Sequence, residues 1–216
     1  MTRFLTALCL LTTPALATDL PIAPGIPYPY PSGIYLGVAA SGISGAASAS
    51  GPLTAGPIAG ARFGVDIGWA GRVNDTFWFV ENTTYVQPID AGGNLSLGTS
   101  MGFQQRVAVG VSQRLINQIV NLVPEFGSMT PAVPGIMVSS PHPYVFGSLW
   151  EDNVEYHLGD THRRGWVVSY GGGIGALSRM TNGWILDTSV EYKRSNTLDT
   201  VRPYRDAYIA TIRVKW

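Results

Sequence analysis

The chain ends in a segment, Asp206 to Trp216, whose side chains alternate between two kinds of surface. In an extended strand, one face carries Tyr208, Ala210, Ile212, Val214 and Trp216. The other face carries Ile209, Thr211, Arg213 and Lys215. An apolar face opposite a charged face is typical of a strand with lipid outside and water or paired ions inside. The alternative is an amphipathic edge strand of a soluble, secreted β-sandwich.

The amino terminus has the three parts of a secretory signal peptide. Arg3 supplies a positive charge, residues 4–13 form an apolar run, and residues 15–17 form a small-x-small cleavage site. The run is shorter than the roughly 20 apolar residues of a membrane-spanning helix. We therefore predict a signal peptide over residues 1–17. The one cysteine, Cys9, lies inside it, so the exported chain is expected to have no disulfide and no thiol chemistry.

The composition favours a membrane barrel over a soluble domain. Charged residues make up 13% of the chain, against about 25% in soluble domains. No segment after residue 17 has 18 continuous apolar residues, as a spanning helix would need. A barrel meets both conditions because its lipid-facing residues are interleaved with polar ones. The formal net charge of zero gives no reason to expect a nucleic-acid partner, and no motif indicates a cofactor.

Beyond a proline-rich linker at residues 18–32, strand-like alternation recurs through residues 33–216. Eight segments carry it: 34–40, 61–73, 76–87, 95–111, 144–150, 166–177, 184–193 and 207–216. The predicted fold class is therefore all-β, an up-and-down, eight-stranded antiparallel transmembrane β-barrel. Closure into a barrel removes the unpaired sheet edges that lipid cannot satisfy.

The connectors predict a direction for the barrel. Turn signals at Asn74-Asp75 and at residues 180–183 are short, as periplasmic turns should be. Connectors 41–60, 87–94, 157–165 and 194–206 are longer and are expected on the outer side. Residues 115–142 depart from this pattern, since a short turn belongs there. We predict an irregular connector, with a short helix over 113–123 that ends before Pro124.

The face opposite the apolar side chains predicts a charged lumen. Its members are Arg62, Asp66, Arg72, Glu81, Arg106, Glu151, Asp187, Glu191, Lys193, Arg213 and Lys215. Six positive and five negative charges nearly balance, and buried charges persist only when they are paired. This predicts a lumen plugged by ion pairs, with a small passive pore as the alternative. Tryptophans near strand ends are expected to form girdles at the two membrane interfaces, namely Trp69, Trp78, Trp150, Trp166, Trp184 and Trp216.

Several short motifs resemble one family. They are Asp19-Leu-Pro, the run Gly33-Ile-Tyr-Leu-Gly-Val38, Pro143-Tyr-Val-Phe-Gly147, Ser189-Val-Glu-Tyr192 and the aromatic-terminated last strand. Together they resemble the small outer-membrane β-barrels of alphaproteobacteria, which belong with the OmpA-like and opacity-type porin-like surface proteins. The resemblance implies an eight-stranded outer-membrane barrel, often a surface antigen, with no catalytic residues. The connector at 115–142 departs from the family pattern.

Three other patterns are weaker indications of a catalytic, metal-binding or cofactor-binding site. Tyr192-Lys-Arg-Ser-Asn196 resembles a lipid A deacylase motif, but Arg194 stands where the histidine base of Ser195 would be expected. His157 and His162 with Asp160 could hold a metal, although solvated loop residues are the simpler interpretation. Residues 171–176 fit a dinucleotide fingerprint without the helix that must follow it. We therefore expect no catalytic residues, no metal and no cofactor.

The sequence thus predicts an outer-membrane barrel with a structural or surface role, of the envelope-integrity, antigen or adhesion type. A small passive pore is the alternative, and a lipid-modifying enzyme is a remote one. Expected partners are outer-membrane lipid and lipopolysaccharide, with no nucleic acid. The barrel-assembly machinery is a further expected partner, reached through a C-terminal signal formed by Tyr208, Ile212, Val214 and Trp216.

Overall fold

A computed structural model of the chain describes residues 32–49, 55–74, 76–93, 95–98, 100–112, 115 and 142–216. These residues form antiparallel strands, and none of the described segments is a helix long and apolar enough to cross a bilayer. The strands are β1 (Gly33–Ala49), β2 (Ala55–Val73), β3 (Thr76–Gln87), β4 (Ile89–Gly93), β5 (Leu95–Leu97), β6 (Ser100–Gly110), β7 (His142–Leu158), β8 (Thr161–Arg179), β9 (Ile185–Ser195) and β10 (Val201–Lys215).

The strands close into a barrel with eight positions around its circumference. The paired order is β1-β10-β9-β8-β7-β6-β3-β2, and β2 pairs again with β1 to close the ring. β4 continues the position of β3, since both pair with β2. β5 likewise shares the position of β6, since both pair with β7. The predicted all-β, eight-stranded antiparallel barrel is confirmed.

The two ends of the barrel differ. The end that carries the β2–β3 and β8–β9 connections is called the turn end, and the connection from β6 to β7 leaves from it. At the opposite end, called the extended end, several predicted loops are in fact strand. β1 continues to Ala49, β2 begins at Ala55, and β7 and β8 meet across a turn at Gly159 and Asp160. The expected loops 41–60 and 157–165 are therefore wrong, and 194–206 shrinks to residues 196–200 between β9 and β10.

The expected strands are too short because the apolar side chains change from the outer face of the barrel to the inner face along a strand. Between the two ends, β7 points apolar Val145 and Leu149 outward, each more than half exposed. Near the extended end it instead buries Val154, Tyr156 and Leu158 and exposes polar side chains. Leu95 and Leu97 are also interior, although a regular strand over 95–111 would place them on the same outward face as Met101. The break between β5 and β6 shifts the alternation, so a single long strand over 95–111 is wrong.

A belt of exposed apolar side chains surrounds the middle of the barrel. It includes Leu36, Val38, Phe63, Val65, Ile67, Met101, Val107, Val109, Leu149, Val168, Ile174, Val190 and Ile212. Aromatic pairs border it. Trp69 packs on Trp78 and Trp184 on Trp216 at the turn end. Phe103 stacks on Trp166 and Tyr192 packs on Tyr208 on the other side. Trp150 is not part of either border, because its side chain is fully buried in the interior.

Three predicted segments lie outside the described residues. They are the signal peptide at 1–17, the proline-rich linker at 18–32 apart from Ser32, and the helix at 113–123 apart from Leu115. Of the connector predicted at 115–142, only Leu115 and His142 are described. His142 begins β7, and its Nε2 lies 2.8 Å from the carbonyl oxygen of Val111. These segments therefore remain predictions.

Candidate functional site

The barrel interior is layered, with charged side chains between two apolar clusters. The cluster at the turn end contains Tyr35, Ala70, Phe77, Phe79, Ala108, Tyr144, Phe146, Leu177 and Ile185. The cluster at the extended end includes Ile43, Ile58, Tyr85, Ile89, Leu95, Leu97, Trp150, Val154, Tyr156, Leu158, Tyr204 and Ile209. The ionic groups between them are removed from water at both ends, which strengthens their mutual attraction and makes any imbalance costly.

The ionic layer nearer the turn end, called the lower cluster, consists of Asp66, Glu81, Arg106, Asp187, Arg213 and Lys215. Arg106 Nη2 lies 2.7 Å from Glu81 Oε1 and 2.7 Å from Asp187 Oδ2. Lys215 Nζ lies 2.7 Å from Glu81 Oε2 and 2.8 Å from Asp187 Oδ2. Glu81 and Asp187 are thus each shared by Arg106 and Lys215. Three positive and three negative side chains make the lower cluster neutral.

Arg213 connects the lower cluster to the rest of the interior. Its Nε lies 3.4 Å from Glu81 Oε1 and 3.6 Å from Asp66 Oδ2. Its Nη2 donates to Gln104 Oε1 at 3.3 Å. The same oxygen accepts from Arg62 Nη1 at 3.5 Å, and Gln104 Nε2 donates to Glu191 Oε2 at 3.1 Å. The Gln104 amide therefore bridges the two ionic layers, because its oxygen accepts from both arginines and its nitrogen donates to Glu191.

The second layer, called the upper cluster, consists of Arg62, Asp152, Glu191 and Lys193. Lys193 Nζ lies 2.7 Å from Asp152 Oδ2. Both cations also lie over the Trp150 ring, with Lys193 Nζ 4.2 Å and Arg62 Cζ 4.4 Å from its centroid. A cation over an indole face is stabilised by the ring quadrupole, more strongly where water is excluded. This explains why Trp150 points inward.

Nine of the eleven side chains predicted to line the lumen are buried there, and two are not. Glu151 is half-buried between Trp150 and Asp152, both fully buried, so it lies on the outward face of β7. Arg72 lies at the β2–β3 turn, where its Nε donates to the Asn74 carbonyl oxygen at 2.5 Å. The corrected set replaces Glu151 with Asp152 and omits Arg72. It has five positive and five negative side chains, so the described interior is formally neutral.

The predicted C-terminal signal lies on the outer surface of β10. Tyr208, Ile212 and Trp216 are half exposed or more, and Val214 is partly exposed on the same face. β10 pairs with β9 on one side and β1 on the other, so it closes the ring between the first and last strands. The backbone of Trp216 continues this pairing, exchanging hydrogen bonds with Leu36 at 3.0 and 3.2 Å. The last strand therefore has the placement that closure requires.

The residues considered for enzyme chemistry take part in hydrogen bonds and strand pairing that stabilise the barrel. Ser195 is buried, and its hydroxyl donates to the Tyr204 carbonyl oxygen at 3.2 Å and accepts from the Tyr204 backbone N–H at 3.1 Å. These bonds hold the β9–β10 hairpin together. Residues 171–176 are part of β8, which continues to Arg179 as a strand rather than turning into a helix. Neither motif has the surroundings that its chemistry needs.

The two exposed histidines do come together. His157 and His162 face each other across the β7–β8 hairpin, with parallel rings whose centroids are 4.2 Å apart. The carboxylate beside them is that of Glu155, whereas the sequence had suggested Asp160. His162 Nε2 lies 2.9 Å from Glu155 Oε1, and this hydrogen bond lowers the pKa of the Glu155 carboxyl.

Comparison with known proteins shows a likeness of fold. A scan of family models and a search of curated protein sequences gave no match to the chain. Among solved structures, that of Neisserial surface protein A matches with a TM-score of 0.53 and 17% identity, over 85% of this chain and 96% of that one. Ail, the attachment invasion locus protein of Yersinia pestis, gives a TM-score of 0.42 and 8% identity over 86% of this chain and 99% of Ail. The first likeness shows a shared fold, and the second is too weak to imply more.

Proposed function

We propose that the chain is an integral outer-membrane β-barrel, plugged by its own ion pairs, that has a structural role in the envelope and presents its extended end at the cell surface. The observation that carries this proposal is the distribution of side chains. Apolar residues point outward around the middle of the barrel, whereas ten charged side chains are buried inside. A soluble protein buries its apolar side chains and exposes its charges, so this inverted arrangement favours a lipid environment.

The height of the apolar belt fits a bilayer. On β10 the belt is bordered by Tyr208 and Trp216, with Ile212 midway between them. At about 3.4 Å per residue this interval covers roughly 27 Å of strand. A tilt near 40° reduces it to about 20 Å along the barrel axis, comparable with the approximately 25 Å band of outer-membrane barrels. Aromatic pairs at both borders occupy the positions that membrane interfaces favour.

The shape of the extended end supports a surface role. Beyond the Phe103–Trp166 pair, β7 continues to the turn with Val154, Tyr156 and Leu158 inside and polar residues outside, and the paired part of β8 carries polar, exposed side chains. This end has its own apolar cluster, so it forms a packed extension rather than a set of loose loops. By analogy with barrels that keep short turns on the periplasmic side, the extended end faces outward. We infer a role in contact or antigen presentation, without catalysis.

A substitution in the belt tests the membrane proposal. Ile212 is 57% exposed, so Ile212→Arg in a soluble protein would change the free energy of unfolding by no more than about 0.5 kcal/mol. In a bilayer the same change places a charge near the midplane, and we expect a loss of about 2–4 kcal/mol. The measurement is urea unfolding of the barrel refolded into phospholipid vesicles. Ala59→Arg, exposed on the extended end of β2, is the matched control and should have little effect. Equal stability of the two variants would contradict the proposal.

A plugged barrel should not conduct ions. The interior is occupied by large buried side chains, among them Trp150, Arg62, Arg106, Tyr144 and Tyr204. We expect purified protein in a planar bilayer to produce no discrete conductance steps at neutral pH. Regular conductance steps from the folded protein would favour the passive pore instead.

Localisation has a simple test of its own. Closed barrels resist SDS until they are heated, so the protein should migrate differently in boiled and unboiled samples of the outer-membrane fraction. A soluble periplasmic protein without this shift would contradict the whole proposal.

A further inference from the structure

Three side chains with metal-binding atoms converge on the outward face of the β7–β8 hairpin. Glu155 and His157 are two residues apart on β7, so they share a face, and His162 lies directly opposite His157 on β8. One ligand atom from each lies within 4.8 Å of the other two. The side chains are 34%, 52% and 55% exposed in the order Glu155, His157 and His162, so an ion can reach them from solvent.

The spacing of these atoms suits a small tetrahedral ion. Zinc binds histidine nitrogen and carboxylate oxygen at about 2.0–2.1 Å, which places neighbouring tetrahedral ligands roughly 3.3 Å apart. Glu155 Oε1 lies 2.9 Å from His162 Nε2 and 3.7 Å from His157 Nε2, so the two distances bracket that value. The two parallel imidazole rings must rotate toward each other to share an ion, and these exposed side chains can do so without a change in strand pairing.

The hairpin holds the ligands in place before any ion binds. His157 and His162 are the second pair from the turn, after Leu158 and Thr161. Leu158 is buried in the apolar cluster of the extended end, which anchors the tip of β7. Asn153 and Arg164, next toward the membrane, are joined by a hydrogen bond of 3.0 Å from Arg164 Nε to Asn153 Oδ1. Ligands placed on paired strands lose less freedom on binding than ligands on a loose loop.

We propose that Glu155, His157 and His162 form a surface binding site for a divalent transition-metal cation of the Zn²⁺, Ni²⁺ or Cu²⁺ type. Two imidazoles and one carboxylate are the donors that these ions favour. Ca²⁺ and Mg²⁺ prefer sets of oxygen ligands, so they should compete poorly. The remaining coordination positions face solvent and would be filled by water or by a donor from another molecule. This inference goes beyond the proposed structural and surface role and does not depend on it.

The test is calorimetric titration of ZnCl₂ into the full barrel, refolded in a zwitterionic detergent without a polyhistidine tag or lipopolysaccharide. We expect one saturable site per chain, which excess MgCl₂ does not displace. Loss of groups that only support a metal ligand weakens binding by about 10–100-fold. Removal of a ligand in His157→Ala or His162→Ala should therefore weaken it by at least about tenfold. Glu155→Gln removes one negative charge together with one ligand. Asp160→Asn, at the turn beside the cluster, removes the same charge but no ligand, and should leave binding unchanged.

A second measurement identifies the donors directly. The electron paramagnetic resonance spectrum of bound Cu²⁺ should show coupling to two imidazole nitrogens, reduced to one in either histidine variant. Circular dichroism checks that every variant retains its β-structure, so that loss of binding is not loss of fold. Absence of saturable Zn²⁺ binding, or undiminished binding in the His157→Ala/His162→Ala double variant, would overturn the inference. Neither result would bear on the membrane proposal, which the Ile212→Arg comparison tests separately.

Discussion

Replacing Arg106 with Met will destabilise the folded barrel by about 3–5 kcal/mol, because removal of one partner leaves buried charge without compensation. Arg106 is fully buried and contacts both Glu81 and Asp187 at 2.7 Å. Met preserves much of the side-chain volume and removes the charge. The lower cluster would then hold three carboxylates against the cations of Arg213 and Lys215. The measurement is urea unfolding of the barrel in phospholipid vesicles. The folded fraction is monitored on gels of unboiled samples, in which the closed barrel migrates differently from the boiled protein.

Two further variants separate charge balance from packing in the Arg106 experiment. Arg106→Met combined with Glu81→Gln restores formal neutrality, and we expect it to be more stable than Arg106→Met alone. Arg205→Met is the surface control, because its partner Asp206 is the adjacent residue and both side chains are about half exposed. Exposed pairs contribute about 0–1 kcal/mol, so this control should remain close to the wild type. A loss below about 1 kcal/mol for Arg106→Met would mean that water reaches the cluster, which would favour the pore.

Replacing Gly173 with Ala is the second change for which we expect a large loss, about 3 kcal/mol, at the upper end of the usual range for overpacking. A Cβ at this position would lie 2.1 Å from the Val190 carbonyl oxygen and 2.9 Å from the Glu191 Cα. These are backbone atoms of β9, so they can move away only if the β8–β9 pairing shifts. Glu191 belongs to the upper cluster, and such a shift would disturb its contacts.

The matched control is Gly147→Ala on β7, where the added Cβ would meet no atom within 4 Å. Both substitutions add one methyl group in a strand, so the difference between them reports the close approach rather than an intrinsic preference for alanine. We expect Gly147→Ala to be neutral or slightly stabilising in the same urea titration. Equal losses for the two variants would contradict the explanation by close strand contact. The dinucleotide-like run that contains Gly173 would then have no structural account.

Much of the interior could be predicted because a strand repeats every two residues. Once the apolar face of β10 is identified from Tyr208 to Trp216, Arg213 and Lys215 must point the other way. The same reasoning places Arg62 and Asp66 on the inward face of β2. The same alternation also decides between the two neighbouring acids on β7. Glu151 shares the outward face of Val145 and Leu149, so Asp152 is the buried acid and pairs with Lys193.

The extended end could not be predicted because the expected apolar face there is reversed. Where the outer surface contacts lipid, apolar residues mark the outside of a strand; where it contacts water, they mark the inside. Val145 and Tyr156 on β7 lie on opposite faces, as the proposed membrane position requires. Because of the same reversal, residues 157–165 are expected to form a loop, although they contain a tight turn at Gly159 and Asp160. The pairing of His157 with His162 across that turn is therefore not predicted either.

The fold class and the direction of most side chains follow from the local pattern of residues, because strand periodicity is a property of neighbouring residues. The pairing of the buried charges, the aromatic residue that lies among them and the carboxylate that joins the two histidines depend instead on how the strands are arranged in space. Trp150 points inward because Arg62 and Lys193 reach it from other strands. Glu155 joins the histidines because hairpin register, rather than nearness to the turn, sets their face. Contacts between residues distant in sequence depend on register and closure, which no single segment encodes.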